Sequence, residues 1–324
     1  MALLPGDDGP YVFGSKVPVL YEGRGLLECL SSRFAYQDRE TWLGRILSGD
    51  VLLDGHVQCD PGIVLRRDQR IDYVHGAFVE PEVPTDWTVV ALSEEWMAVS
   101  KPSGMPMHST PRIFRQTLTW QVRKLFGEGW SPVHRLDRET SGLVVFARGQ
   151  QTTTWLGKAF ADRRVSKEYL ALVRGELVEE VVVDGPIGSA GDPQASVRQA
   201  VVEDGKPART ILHPIGSDAR GRGTWVVASP LQGRMHQIRV HCESIGHPIV
   251  GDLLYDGQGG VAFKARSCGA EPSVWRGLVA DEDLHLHAWK LRFHQKGPAF
   301  LPLRMECSPR AGWMLPFFPG KGTL

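Results

Sequence analysis

The run His134-Arg135-Leu136-Asp137-Arg138-Glu139-Thr140-Ser141-Gly142-Leu143 sets one carboxylate between two arginines and feeds straight into an apolar stretch, residues 143–147. Cations beside a carboxylate favour its charged form, and together they offer a surface to phosphate. Taken alone, the run also fits a solvated turn before a strand. The apolar stretch is short and continuous, as in a strand buried on both faces. Working outward, residues 88–92 and 96–99 alternate like strands. Residues 117–126 carry Leu118, Val122 and Leu125 on one helical face, and 155–162 read as a second helix. Strands are expected at 169–173, 210–213 and 225–228. The last two flank a polar hairpin loop, 216–223, with Arg220 and Arg222 at its tip. Residues 234–244 read as a helix closed by Gly246 before Pro248. Strands and helices interleave without a regular βαβ rhythm. The expected class is α+β, on a mixed, largely antiparallel sheet.

Residues 1–79 are expected to form a separate small α/β domain, 80–87 a linker punctuated by Pro81 and Pro84, and 88–324 the large domain. In the small domain, Leu26, Leu27 and Leu30, then Trp42, Ile46 and Leu47, have helical spacing. Residues 51–57 read as a hairpin about Asp54-Gly55, and 63–74 as short strands.

Three further blocks accompany the opening run. They are Lys101-Pro102-Ser103-Gly104-Met105-Pro106-Met107-His108; Lys167-Glu168-Tyr169; and Gly233-Arg234-Met235-His236-Gln237-Ile238-Arg239-Val240-His241 with Gly246-His247-Pro248-Ile249 and Gly251-Asp252-x-x-Tyr255. In this order, from about residue 88 to 295, they resemble the RluA family of RNA pseudouridine synthases. The resemblance implies a pseudouridine-synthase catalytic domain that isomerises a uridine of ribosomal or transfer RNA by flipping the base. The N-terminal pattern resembles the S-four-type RNA-binding domain often attached to such enzymes. Those domains are usually basic and this one is acidic, so RNA contact and a structural or protein-binding role both stay open.

Pseudouridine formation breaks the bond from ribose to a ring nitrogen of uracil, turns the base and rejoins it through a ring carbon. It needs no redox change or energy input, so no cofactor is expected; the chain has no GxGxxG, phosphate loop or HExxH. The resemblance implies Asp137 as the carboxylate nucleophile or charge stabiliser, and Tyr169 against the target base with its hydroxyl near the abstracted proton. Arg239 is expected to hold Asp137 through a bidentate pair. Arg135, Arg138, Lys167 and Arg234 are the candidate RNA-binding cations. Arg135 either fills the gap left by the flipped base or makes a salt bridge, and the first is favoured. Lys167 shares a strand face with Tyr169. Arg234, five residues before Arg239, would be offset from it on a helix and suits phosphate. His134 reads as structural rather than as a base. His236 and His241 read as hydrogen-bonding within the helix and its neighbours, since no suitably spaced carboxylate completes a metal site. Ile238 and Ile245 read as core. Two positions depart from the family's habit: Gln232, commonly Thr, and Ser100, commonly Asn. They bear on substrate choice rather than on the reaction.

Formal net charge is zero, but its distribution is uneven. Residues 1–100 hold 8 Lys+Arg against 16 Asp+Glu, residues 101–175 hold 13 against 5, and the rest balances at 16 each. The basic excess therefore surrounds the Asp137 loop, where an RNA backbone would lie. No apolar run approaches the ~20 residues that span a bilayer. Cys29, Cys59, Cys242, Cys268 and Cys307 form no CxxC pair, so neither a disulfide framework nor a zinc site is expected. Residues 1–10, with Asp7 and Asp8, do not read as a secretory signal. A cytoplasmic monomer with RNA as its partner is expected. The competing readings are a non-catalytic RNA-binding or ribosome-assembly factor on the same scaffold, and a hydrolase using Asp137 with His134. The hydrolase lacks an evident water-activating partner.

Overall fold

The computed structural model describes residues 11–34, 37–75, 80–110, 113–193, 195–255, 260–267, 283–295, 297, 301–309 and 313. The N-terminal ten residues and Cys268, both read above, lie outside them. The contacts divide into two units, residues 1–81 and 82–324.

The first unit contains β1 (Tyr11–Lys16), α1 (Leu26–Arg33), α2 (Arg39–Leu47), β2 (Val51–Leu53), β3 (His56–Val57) and β4 (Arg70–His75). Its antiparallel sheet runs β1-β4-β2-β3. Leu26, Leu27, Leu30, Trp42 and Ile46 are buried together with Val51, Ile71 and Tyr73. Leu47 is not part of that core and is exposed. Asp38 starts α2 by accepting from Thr41 N–H at 2.7 Å. Asp54 and Gly55 both take positive φ, 51° and 83°, the geometry of a two-residue hairpin turn that matches strand twist. Strand β1 is an addition to the sequence reading, and residues 63–69 hold a single bridge from Val64 to Gly25 and a turn at 67–68 rather than a further strand.

The second unit contains β5 (Thr88–Leu92), β6 (Trp96–Lys101), α3 (Leu118–Phe126), β7 (Trp130–Pro132), β8 (Ser141–Arg148), α4 (Gln150–Ala161), β9 (Val165–Arg174), β10 (Val181–Asp184), β11 (Ile187–Ser189), β12 (Gln199–Val201), β13 (Arg209–Ser217), β14 (Gly223–Pro230), α5 (Gln237–Ser244), α6 (Val261–Ser267), β15 (Leu286–Phe293) and β16 (Arg304–Glu306). Among the described residues its large sheet has the order β10-β13-β14-β9-β15-β8-β6-β5, with β16 on β15 and β7 on β8. Every pair is antiparallel except β15 with β8. β11 and β12 form a separate two-stranded ribbon.

Strand β8 is buried on both faces, which explains its unbroken apolar sequence. Leu143, Val145 and Ala147 pack with Leu156 and Ala159 of α4. Val144 and Phe146 pack with Leu118 and Val122 of α3. The strand's second residue is Gly142, whose φ is 113°. A Cβ there would sit 2.3 Å from the Ala288 carbonyl oxygen of β15, so only glycine allows this parallel contact. That contact anchors the end of the loop bearing Asp137.

The helix expected over 234–244 begins only at Gln237. His236 is left-handed, at φ 57° and ψ 19°, and the Gln237 side chain accepts from Arg234 N–H at 3.1 Å. Residues 233–236 are thus a turn, and Arg234 and Arg239 do not share a helix. Ile238 is buried, and Ile245 packs against the same core from its edge. Helix α4 begins five residues earlier than expected, and β9, β13 and β14 extend beyond their expected ends.

Candidate active site

A cleft of about 300 Å³ opens between the Asp137 loop, β9 and the turn leading into α5. Leu136, buried under α3, anchors the loop and leaves Asp137 facing the cleft. Asp137 is the sole acidic residue among those that line it, beside Arg135, Lys167, Arg234 and Arg239. Tyr169 and Lys167, two apart on β9, both reach it, as the period of a strand requires.

The loop is held from behind by the Lys101 block. The buried Lys101 Nζ donates to the carbonyls of Pro102, Met105 and Arg138 at 3.0, 2.9 and 2.9 Å. Ser103 Oγ donates to Glu139 O at 2.6 Å. Burial pushes the Lys101 ammonium down to about 7, against the pull of Glu139 and Asp137. Three carbonyl acceptors match the three donors of the charged form. Arg138 does not line the cleft; its Nε donates to Gly104 O at 2.9 Å.

Arg239 is buried, and its fork is not spent on Asp137 as expected. Nε and Nη2 donate to Asp252 at 2.7 and 2.8 Å, and Nη1 alone reaches Asp137 Oδ2, at 3.4 Å. A fork needs a carboxylate presented edge-on. Asp252, whose Oδ1 also accepts from Leu254 and Tyr255 N–H, is fixed in that pose. Burial alone would raise the Asp252 carboxyl; the Arg239 charge and these hydrogen bonds outweigh it and hold it below the usual range. Burial would also lower the Arg239 guanidinium, but Asp252 first and Asp137 after it keep it firmly charged.

Burial and the Asp137 charge push the Tyr169 hydroxyl well up, so it stays protonated near neutrality. Burial, then Arg163, lowers Lys167 to about 8, and its Nζ donates to Gln232 O. Gln232, one of the two departures, also accepts from Arg209 N–H through its side chain. Arg135 is exposed at the cleft rim and makes no hydrogen bond or ion pair with the described residues. Arg234 is half-buried, with Nε donating to Pro207 O at 3.2 Å. His134 stacks on Phe160 and accepts from Val145 N–H at 3.1 Å, and burial lowers it to about 3. It is neutral and structural. His241 bridges Thr210 and Gly185 O inside the fold. His236 lies 3.9 Å from Asp137. Among the described residues no group of three or more His, Cys, Asp or Glu could hold a metal ion.

Asp252, Tyr255 and His236 were not assigned to the site from the sequence. A buried arginine in need of a buried acid was the available signal, and Gly251-Asp252 sits in a quoted block.

The geometry defines a mixed-sheet enzyme cleft with one carboxylate among cations. Comparison places it. Residues 95–244 match the family model for RNA pseudouridylate synthase. An uncharacterised RNA pseudouridine synthase of Synechocystis sp. is 32% identical over 83% of this chain and 88% of its own. The mitochondrial tRNA pseudouridine(32) synthase of Saccharomyces cerevisiae is 32% identical over 72% of this chain, which spans 51% of that protein. Human RNA pseudouridylate synthase domain containing 1 superposes with TM-score 0.55 at 29% identity, covering 72% of this chain and 86% of that one. The chain belongs to the RluA-type RNA pseudouridine synthases, isomerases that convert uridine in RNA to pseudouridine. Among the described residues no helix is long and apolar enough to cross a membrane.

Proposed function

We propose that this cleft takes up one flipped uridine of ribosomal or transfer RNA and isomerises it with Asp137 as the nucleophile. The observation that carries the reading is the position of Asp137, the sole acid lining a cleft whose other charged residues are Arg135, Lys167, Arg234 and Arg239. The bond from C1′ to N1 breaks and a bond from C1′ to C5 forms. The C5 proton leaves and N1 regains one, so atoms and electrons balance without a co-reactant. The Asp137 carboxylate meets the electrophile created as the first bond breaks. Tyr169 lies against the base and, being protonated, offers its hydroxyl as a hydrogen-bond donor or proton relay. Arg239, oriented by Asp252, supplies positive charge beside Asp137. Arg135 fills the stack where the base has left, and Lys167 and Arg234 hold the flanking backbone. Arg138, pinned to Gly104, contributes at the loop's outer side. The protein acts as a cytoplasmic monomer without a cofactor. The name of the yeast relative favours transfer RNA over ribosomal RNA.

A pseudouridine map of cells lacking the gene, re-supplied with wild-type or Asp137→Ala protein, tests this. Sites should vanish on deletion, return with wild type and stay absent with the variant. Restoration of the sites by Asp137→Ala would overturn the nucleophile; rescue of a deletion phenotype by that variant with the sites still absent would support the binding-factor reading.

A further inference from the structure

His236 sits at the mouth of α5 in a conformation that non-glycine residues rarely adopt. Its two ring nitrogens face different partners. Nδ1 lies 2.8 Å from the Tyr255 hydroxyl, and Nε2 lies 3.9 Å from Asp137 Oδ2. Which nitrogen carries the proton follows from Tyr255. The tyrosine is fully buried, and its ring is covered by the guanidinium groups of Arg239 and Arg198, at 5.0 and 5.6 Å. Its oxygen already accepts from Gln199 N–H, at 2.8 Å. A buried hydroxyl must also place its own proton. Among the described residues the available acceptor is His236 Nδ1. Nδ1 is therefore unprotonated, the proton of the neutral ring sits on Nε2, and that N–H faces Asp137.

We propose that His236 is a positioning residue, locked by Tyr255 as the Nε2–H tautomer so that it donates to Asp137 and fixes the carboxylate's rotamer when RNA closes the cleft. The chain of contacts runs from β12 through Gln199, Tyr255 and His236 to Asp137, and so ties the β11–β12 ribbon to the candidate nucleophile. A separation of 3.9 Å is too long for a formed hydrogen bond. Active-site hydrogen bonds are often long without substrate and shorten in the complex. Arg239 Nη1 and His236 Nε2 approach the same oxygen, Oδ2. Oδ1 is thereby left to face the substrate. This role rests on the reading of Asp137 given above.

Two variants separate positioning from structure. His236→Asn keeps an acceptor where Nδ1 was and tolerates the left-handed backbone, but has nothing at Nε2. His236→Gln carries a donor at the Nε2 position. The first measurement is long-range ¹H–¹⁵N NMR of the full-length protein labelled at histidine, with assignment by the His236→Asn spectrum. The Nε2–H tautomer is expected, and Tyr255→Phe should shift it toward a tautomeric mixture. A dominant Nδ1–H signal in wild type would overturn the proposal. The second is single-turnover tritium release from total RNA of the gene-deleted strain, labelled at uridine C5. His236→Asn should fold and bind this RNA like wild type, yet release tritium roughly ten- to hundredfold more slowly, the worth of a hydrogen bond to a charged group. His236→Gln should recover most of the rate. A wild-type rate in the Asn variant, or a loss confined to RNA affinity, would sink the positioning role. If wild type itself releases no tritium, the enzymatic reading falls, while the NMR result still decides the lock.

Discussion

Replacing Asp252 by Asn should damage this protein far more than replacing Asp137 by Asn, although Asp137 is the candidate nucleophile. Asp252 is buried and accepts four hydrogen bonds: from Arg239 Nε and Nη2, and from the backbone of Leu254 and Tyr255. An asparagine can keep Oδ1 on the backbone donors, but its amide then opposes the Arg239 Nε–H, donor against donor. Arg239 keeps Nη2 on Oδ1, now a neutral amide oxygen, and Nη1 near Asp137 at 3.4 Å, but its buried charge loses the carboxylate opposite it. Removing one partner of a buried pair costs about 3–5 kcal/mol. At roughly 2–4 °C per kcal/mol for a unit of this size, Tm should fall by about 6–20 °C. Asp137→Asn leaves the Arg239–Asp252 fork intact and loses one long contact at a carboxylate 19% exposed. Its cost should stay within about 1 kcal/mol, with Tm nearly unchanged. Calorimetry of both variants and of the double variant gives the answer, because the cycle isolates the coupling through Arg239. Equal losses in the two single variants would refute the assignment of the fork to Asp252 and restore the direct Arg239–Asp137 pair.

Two pH effects follow from burial. His134 is held down to about 3 from 6.5, so the unfolded chain binds more protons between these values and stability must fall as pH drops below 6.5. The loss should reach up to ~1.4 kcal/mol per pH unit, and His134→Gln should remove that share of the slope in urea unfolding curves. His287, lowered by burial to about 4, adds to the same trend. Lys167 loses its charge as pH rises through about 8, so affinity for transfer RNA in filter binding should weaken across that point. Lys167→Met should flatten this dependence and reduce the salt slope of binding by roughly one; an unchanged slope would remove Lys167 from the backbone contacts.

The parts of the site written in short-range pattern were legible. The continuous apolar run after Gly142 fits a buried strand by its length and β-branched content, and this placed Asp137 at its mouth. Period two put Lys167 and Tyr169 on one face. The parts set by distant partners were not legible. The parallel pairing of β15 with β8 joins Ser141 to His287 across the length of the domain, and nothing local announces it. The start of α5 was misplaced because Arg234, Met235 and His236 suit a helix. What stops the helix is the left-handed backbone of His236, with the Gln237 side chain accepting from Arg234 N–H in the turn before it. The recipient of the Arg239 fork was misassigned for a similar reason. Sequence shows that an arginine and two acids are present, but not which acid is held edge-on.

A protein of zero net charge can still be built to hold a polyanion, and the charges here divide by burial. Arg239 and Asp252 neutralise each other inside the fold and set geometry rather than affinity. Arg222 and Asp218 do the same at the β13–β14 hairpin, so the arginine expected at the loop tip is folded back into an ion pair. In the N-terminal unit Arg24, Arg45, Arg67 and Arg70 each lie in an ion pair with an acid of the same unit. Arg135 differs from all of these. It stands exposed at the cleft rim, beside Asp137, with no partner among the described residues. An exposed, unpaired cation has no protein partner to give up before it meets a ligand, whereas a paired one must first lose its partner. Affinity for the phosphate backbone should therefore concentrate at the rim of the cleft. On the proposed reading, the buried pairs would keep the carboxylate within it aimed at the nucleotide that rim delivers.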